Sequence, residues 1–197
     1  MNLLTFIKKS RDSALLNRMH LVFIIAVILA GYGWKTESQS DAVSTENKVK
    51  AAYVYNFTRF VNWTAPESGQ KKETIRIGIL GSESIAELLR EAAAAQNKKN
   101  EIIVQSLDNS SFSPGDFDIL YIDNTKKSEL KNILAKTRGH QVLTVSDLEL
   151  FARMGGIIGF VKEDKRIKIE INLELAKKEK LQISAKLIEV ARLVSGE

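Results

Sequence analysis

At 197 residues, with 44% hydrophobic and 27% charged side chains, the chain has the make-up of one globular domain. It contains no cysteine, which excludes disulfides, thiolate metal sites and a cysteine nucleophile, and a chain without His20 keeps only His140, too little for a multi-histidine metal site. Residues 1–40 hold five Lys/Arg against two Asp/Glu, so +3 of the +5 net charge lies there; the remaining +2 body lacks the concentrated basic face that nucleic-acid binding needs.

Lys8, Lys9, Arg11 and Arg18 precede an apolar run from Leu21 to Ala30, followed by the small residues Gly31 and Gly33. This is the order of a secretory signal. The run is short of the roughly 20 apolar residues of a membrane span. Over residues 1–34 a cleaved signal peptide and an uncleaved N-terminal anchor both stay open, and in either case the body leaves the cytoplasm. Residues 35–46 are polar and read as a linker, so the folded domain is expected at 47–197.

The first element is a helix over about 47–61, ending before Pro66. At helical spacing Val49, Ala52, Tyr53, Asn56, Phe57, Phe60 and Val61 share one stripe, apolar except for Asn56. A buried amide on such a face has to be hydrogen-bonded. Phe57 and Phe60 read as core. Tyr55, Arg59 and Trp63 lie off the stripe or past its end and are candidates for a partner surface, where these residue types are enriched.

Strands are expected at 73–80, 102–107, 117–122 and 141–145, separated by helices at about 82–95, capped by Ser82 or Ser84, and 126–136. The nearly continuous apolar run from Phe117 to Ile122 suits a strand buried on both faces. Ser146 and Glu149 have capping-box spacing for a short helix to Met154, ended by Gly155-Gly156. Two further strands, 157–162 and 166–171, form a hairpin; Ile167, Ile169 and Ile171 alternate with Lys168 and Glu170, giving one wet face and making Glu170 a further partner-binding candidate. Asn172 is placed to cap the next segment, and Ser184 a last helix. The sum is an α/β fold: one domain with a mostly parallel sheet, flanking helices and an antiparallel C-terminal hairpin edge.

Three constellations bear on chemistry. Gly78-Ile79-Leu80-Gly81-Ser82 follows a strand and opens a helix, where backbone amides could hold an anion, yet it has neither dinucleotide nor Walker spacing, and a tight strand-to-helix turn with serine caps alone explains its glycines. Asp123, Thr144, Ser146 and Lys162 end successive strands as in phosphoacceptor receiver domains, without the acidic pair that holds magnesium. His140, in a loop, has no nucleophile elbow to serve, and Glu163-Asp164 sit in a turn. No catalytic residue, metal ligand or cofactor site is therefore assigned.

Lys50-Ala51-Ala52-Tyr53-x-Tyr55-Asn56-Phe57-x-Arg59-Phe60-Val61-x-Trp63 resembles the opening motif of YfiR/HmsC-like proteins. Four further segments agree in order: 77–81, 119–122, 142–147 leading to Phe151-Ala152 and Gly155-Gly156, and 169–172 with Ala176, Leu181, Ile183-Ser184 and Leu187. Together they cover about residues 47–195. The resemblance implies a periplasmic α/β regulator, not an enzyme, that represses an inner-membrane diguanylate cyclase by binding its periplasmic region, lowering cyclic di-GMP and biofilm formation. It further implies a homodimer, no nucleic acid, and membrane contact only through an uncleaved leader. It makes Asn56, Phe57, Phe60, Gly155, Gly156 and Asn172 structural motif residues, with Asn56 expected as a buried hydrogen-bond anchor between helix and sheet. The family's disulfide-linked redox control does not carry over to a chain without cysteine. The competing class is a periplasmic small-molecule binding module or enzyme on the same scaffold.

Overall fold

The computed structural model describes residues 39–63, 72–95, 101–107, 112–164 and 166–196. The expected leader at 1–34 lies outside them. Alternating apolar runs and amphipathic segments assemble the unit beginning at Ser40 as a seven-stranded sheet with helices on both faces. In chain order the elements are helix α1 (Gln39–Phe60), strands β1 (Val61–Asn62) and β2 (Thr74–Leu80), helix α2 (Glu83–Ala94), strands β3 (Glu101–Leu107) and β4 (Ile119–Ile122), helix α3 (Leu130–Thr137), and strands β5 (Leu143–Ser146), β6 (Ile158–Glu163) and β7 (Arg166–Ile171). Helix α4 (Leu173–Lys178), strand β8 (Gln182–Ile183), helix α5 (Ala185–Glu189) and strand β9 (Arg192–Leu193) complete it.

The strand order is β3-β2-β4-β5-β6-β7-β9. From β3 to β6 all pairings are parallel, β6 and β7 are antiparallel, and β7 and β9 are parallel. Strands β1 and β8 form a separate two-stranded antiparallel pair, Val61 opposite Ile183. Because side chains alternate across each strand, Ile77, Ile79, Ile119, Tyr121, Leu143 and Val145 pack toward α1 and α2, while Leu80, Leu120 and Ile122 pack toward Leu130, Ile133 and Leu134 of α3. Burial on both faces is why β4 reads as a continuous apolar run.

Four local expectations are corrected. Helix α1 begins at Gln39, inside the stretch read as a polar linker, and Glu46 within that stretch is fastened to Lys50 and Lys162. Residues 148–154 are a bend and consecutive turns, not a helix: Leu150 adopts φ 59°, while the Ser146 hydroxyl accepts from Leu148 N and donates to the Ile122 carbonyl. The helix ahead of β5 opens with a 3-10 segment, Asn124–Glu129, capped by Asp123. The last helix stops at Glu189 instead of running on to Leu193 or Val194, and Arg192–Leu193 add a short parallel strand, β9, beside the expected antiparallel β6–β7 hairpin.

Candidate functional site

The buried face of α1 is not the expected stripe. It runs through Lys50, Ala51, Val54, Tyr55, Phe57 and Thr58 and continues into Val61 of β1, while Val49, Ala52 and Arg59 are exposed and Asn56 is half-buried. Two polar residues on the buried side conceal its phase. Thr58 Oγ1 donates to the Tyr55 carbonyl at 2.7 Å, and the Lys50 ammonium meets Asp147 Oδ2 at 2.6 Å and Glu46 Oε1 at 2.7 Å. Glu46 Oε2 in turn accepts from Lys162 at 2.8 Å. Four charges thus clamp α1 to the ends of β5 and β6.

The electrostatics follow from that geometry. Burial works to lower the Lys50 pKa, but hydrogen bonds from its ammonium to Asp147 and Glu46 outweigh it and hold it above 10.5. Burial likewise works to raise the Glu46 pKa, and the Lys162 and Lys50 hydrogen bonds reverse the sign, leaving it below 4.5. Tyr121, on β4, is pushed upward by burial first and then by the Asp147 and Asp123 charges, so its phenol stays protonated.

Asn56 is not a helix-to-sheet anchor. Its Nδ2 donates to the Ala52 carbonyl of its own helix at 2.9 Å, one turn back. Tyr55 (5% exposed) and Trp63 (1%) belong to the core and are removed from the partner surface, leaving Arg59 as the exposed member of that trio. Glu170 is buried too (5%): β9 lays Arg192 beside it, with Nη1 3.4 Å from its carboxylate. The wet face expected on β7 is therefore covered at that position. Phe57 is fully buried, flanked by Tyr53 and Phe160 at ring-centroid distances of 6.4 and 6.2 Å, and Phe60 is half-buried against the same core.

The amide that does join elements is Asn172. Its Nδ2 donates to the Ala152 carbonyl at 3.1 Å and its Oδ1 accepts from the Leu175 amide at 2.9 Å, tying β7, α4 and the turns after β5 together. Gly156 sits beside the Phe151 ring so closely that a Cβ would lie 2.1 Å from it. Gly155, at φ 97°, passes its carbonyl to Arg138 Nη2 at 3.3 Å.

The strand-end polar groups are occupied by structural bonds. Asp123 accepts from Thr125 N and Oγ1, Thr144 Oγ1 accepts from Ile157 N at 3.0 Å, Ser146 Oγ donates to the Ile122 carbonyl at 2.6 Å, and Lys162 pairs with Glu46. They do not converge on a phosphoacceptor site. At the β2–α2 turn, where an open α/β sheet would offer a ligand crevice, Gly81 (φ 92°) is packed so closely that a Cβ would lie 2.8 Å from Thr125 Oγ1. Ser82 caps α2 by accepting from Ile85 N. His140 is exposed. Among the described residues no three His, Asp or Glu side chains are grouped to hold a metal ion.

What sequence reading missed lies on the α3 side. A groove of about 610 Å³ is lined by Leu130, Leu134, Ala135 and Met154, with Lys127, Ser128, Lys131 and Arg138 around them. A second cleft of about 360 Å³ shares Arg138 and Met154 and adds Arg153 and Lys178. The cations sit on two segments far apart in sequence, so no local pattern announces the groove.

These features define a doubly wound α/β domain with a partly apolar groove bordered by Lys127, Lys131 and Arg138. The chain belongs to the YfiR/HmsC-like family, whose model matches residues 47–192. No curated protein matches it. Among solved structures it is similar to a conserved domain protein from Vibrio cholerae O1 biovar El Tor, with a TM-score of 0.51 and 12% identity over 75% of this chain and 59% of that one. It is also similar, at a TM-score of 0.46 and 12% identity, to the ABC domain in complex with L-Trp from Streptococcus pneumonia, over 61% of this chain and 55% of that one. The chain thus spans under three fifths of each of these structures, and the Vibrio cholerae likeness speaks for the fold alone.

Proposed function

We propose that this protein is an exported regulator that restrains an inner-membrane diguanylate cyclase by binding its periplasmic region. The observation that carries the reading is family membership across residues 47–192. The basic and apolar order of residues 1–34 supports export, whether as a cleaved signal peptide or as an anchor, with the regulatory domain at 47–197. Among the described residues no helix is long and apolar enough to cross a membrane.

Such a protein acts through a binding equilibrium, not through catalysis. Outside the cytoplasm it has no access to the cyclase's nucleotide substrate, so it works by favouring one conformation of the membrane partner. The shift it imposes is bounded by its differential affinity for the two conformations. A homodimer belongs to the same reading. The test is copurification from detergent-solubilised native membranes: a diguanylate cyclase is expected with the tagged protein. Recovery without any cyclase, together with a thermal shift on adding a small molecule, would favour the alternative of a periplasmic binding module.

A further inference from the structure

We infer that the α3 groove is the docking site for an acidic amphipathic helix of a protein partner. This rests on the regulatory reading above, from which it takes only that the partner is a protein. The floor is apolar: Leu130 and Leu134 are core residues on α3, and Met154, 52% exposed, stands over them from the turn after β5. The rim is positive. Lys127, Lys131 and Arg138 border the floor, and Arg153 continues the charge into the adjoining cleft.

Among the described residues no carboxylate pairs with Lys127, Lys131 or Arg153, and Arg138 donates only to the Gly155 carbonyl. Lys178 is already held by Glu174 at 2.8 Å. In a body with a net charge of only +2, three cations without a carboxylate partner around one apolar floor, with Arg153 in the adjoining cleft, are a local excess. They call for an occupant with apolar residues at helical spacing and carboxylates on its flanks, the helix-in-groove mode with charges setting register. A membrane surface fits poorly, because Lys127 and Lys131 are exposed while Leu130 and Leu134 are buried beneath them, so flat headgroups would meet the rim and not the floor.

The test is photo-cross-linking in the native host with the full chain, placing p-benzoylphenylalanine at Ala135 and, as a control on the β3 edge, at Ile103. From Ala135 the expected product is one protein, captured through a peptide richer in Asp and Glu than in Lys and Arg. Adding Lys127→Glu/Lys131→Glu should reduce the yield at least tenfold, while Arg76→Glu/Lys186→Glu leaves it within twofold. Among the described residues none of these four side chains has an ion pair, so an unchanged melting temperature separates lost docking from lost folding. An undiminished yield after the groove reversal, a captured peptide that is not acidic, a cross-link to lipid or to a second copy, or no product from Ala135 would each overturn the proposal. If the acidic peptide belongs to a protein other than a cyclase, the groove stands and the cyclase reading falls.

Discussion

Asn172 uses both ends of its side-chain amide, on the Ala152 carbonyl and the Leu175 amide, and it is buried while doing so. Replacing it with alanine strands one acceptor and removes a helix cap, a cost of about 2–3 kcal/mol. For a domain of this size that lowers the melting temperature by roughly 5–10 °C. Asn56→Ala gives the contrast: its hydrogen bond is local and half-exposed, so the expected cost is below about 0.5 kcal/mol. Thermal melts of the two variants side by side check both, and equal losses would contradict the assignment. The sequence pattern pointed to Asn56 because it interrupts aromatic residues at helical spacing. Asn172 was legible as a helix cap, from its position between a strand and an amphipathic segment. Its bond to Ala152, twenty residues back, had no local signature. Nor did the burial of Tyr55 and Trp63, since Tyr55 follows the phase in which α1 packs on the sheet and Trp63 joins the same core from just beyond β1.

At the scale of elements, the docking of α1 depends on the Glu46–Lys50–Asp147 cluster. The side chains of Lys50 and Asp147 are about nine-tenths buried (6% and 10% exposed). Lys50→Ala leaves Asp147 without its cation and is expected to cost about 3 kcal/mol or more, whereas Lys50→Met with Asp147→Leu restores most of the stability. Denaturant titration of the single and double variants reads this directly. The pH dependence has a definite sign. Glu46 has a depressed folded pKa, so its contribution is complete above 4.5 and is lost as pH falls through the depressed value; Lys50 has a raised one, so its contribution is complete below 10.5 and is lost as pH climbs past the raised value. Melting temperatures of wild type and Glu46→Gln should therefore differ near neutrality and converge in strong acid; parallel curves would contradict the clamp. The same cluster explains why the phase of α1 was misread. A lysine is scored as solvent-facing by any polar–apolar pattern, and only the carboxylate arriving from the end of β5, 97 residues later, makes its burial possible.

Across the whole molecule, the parallel core was the most legible part. Ile119–Ile122 is buried on both faces and carries an uninterrupted apolar signal, and in Leu143–Ser146 the buried Thr144 and Ser146 interrupt it only with short hydroxyl side chains. The chain's end was less so, because Arg192–Leu193 become a strand only where β7 offers an edge, and Arg192 is fixed there by Glu163 and Glu170. The α3 groove was invisible for a related reason: it is assembled from residues 127–138 and Met154, which meet only after β4 and β5 have paired. Fold and family thus stand on the sheet, while recognition is proposed for a surface that the sheet assembles. The proposed restraint of a cyclase is tested by cellular cyclic di-GMP measured in a strain lacking this protein. A rise above the parent is expected, reversed when the wild-type chain is supplied in trans. An unchanged level in the deletion strain, with the protein shown to accumulate in the parent, would contradict it.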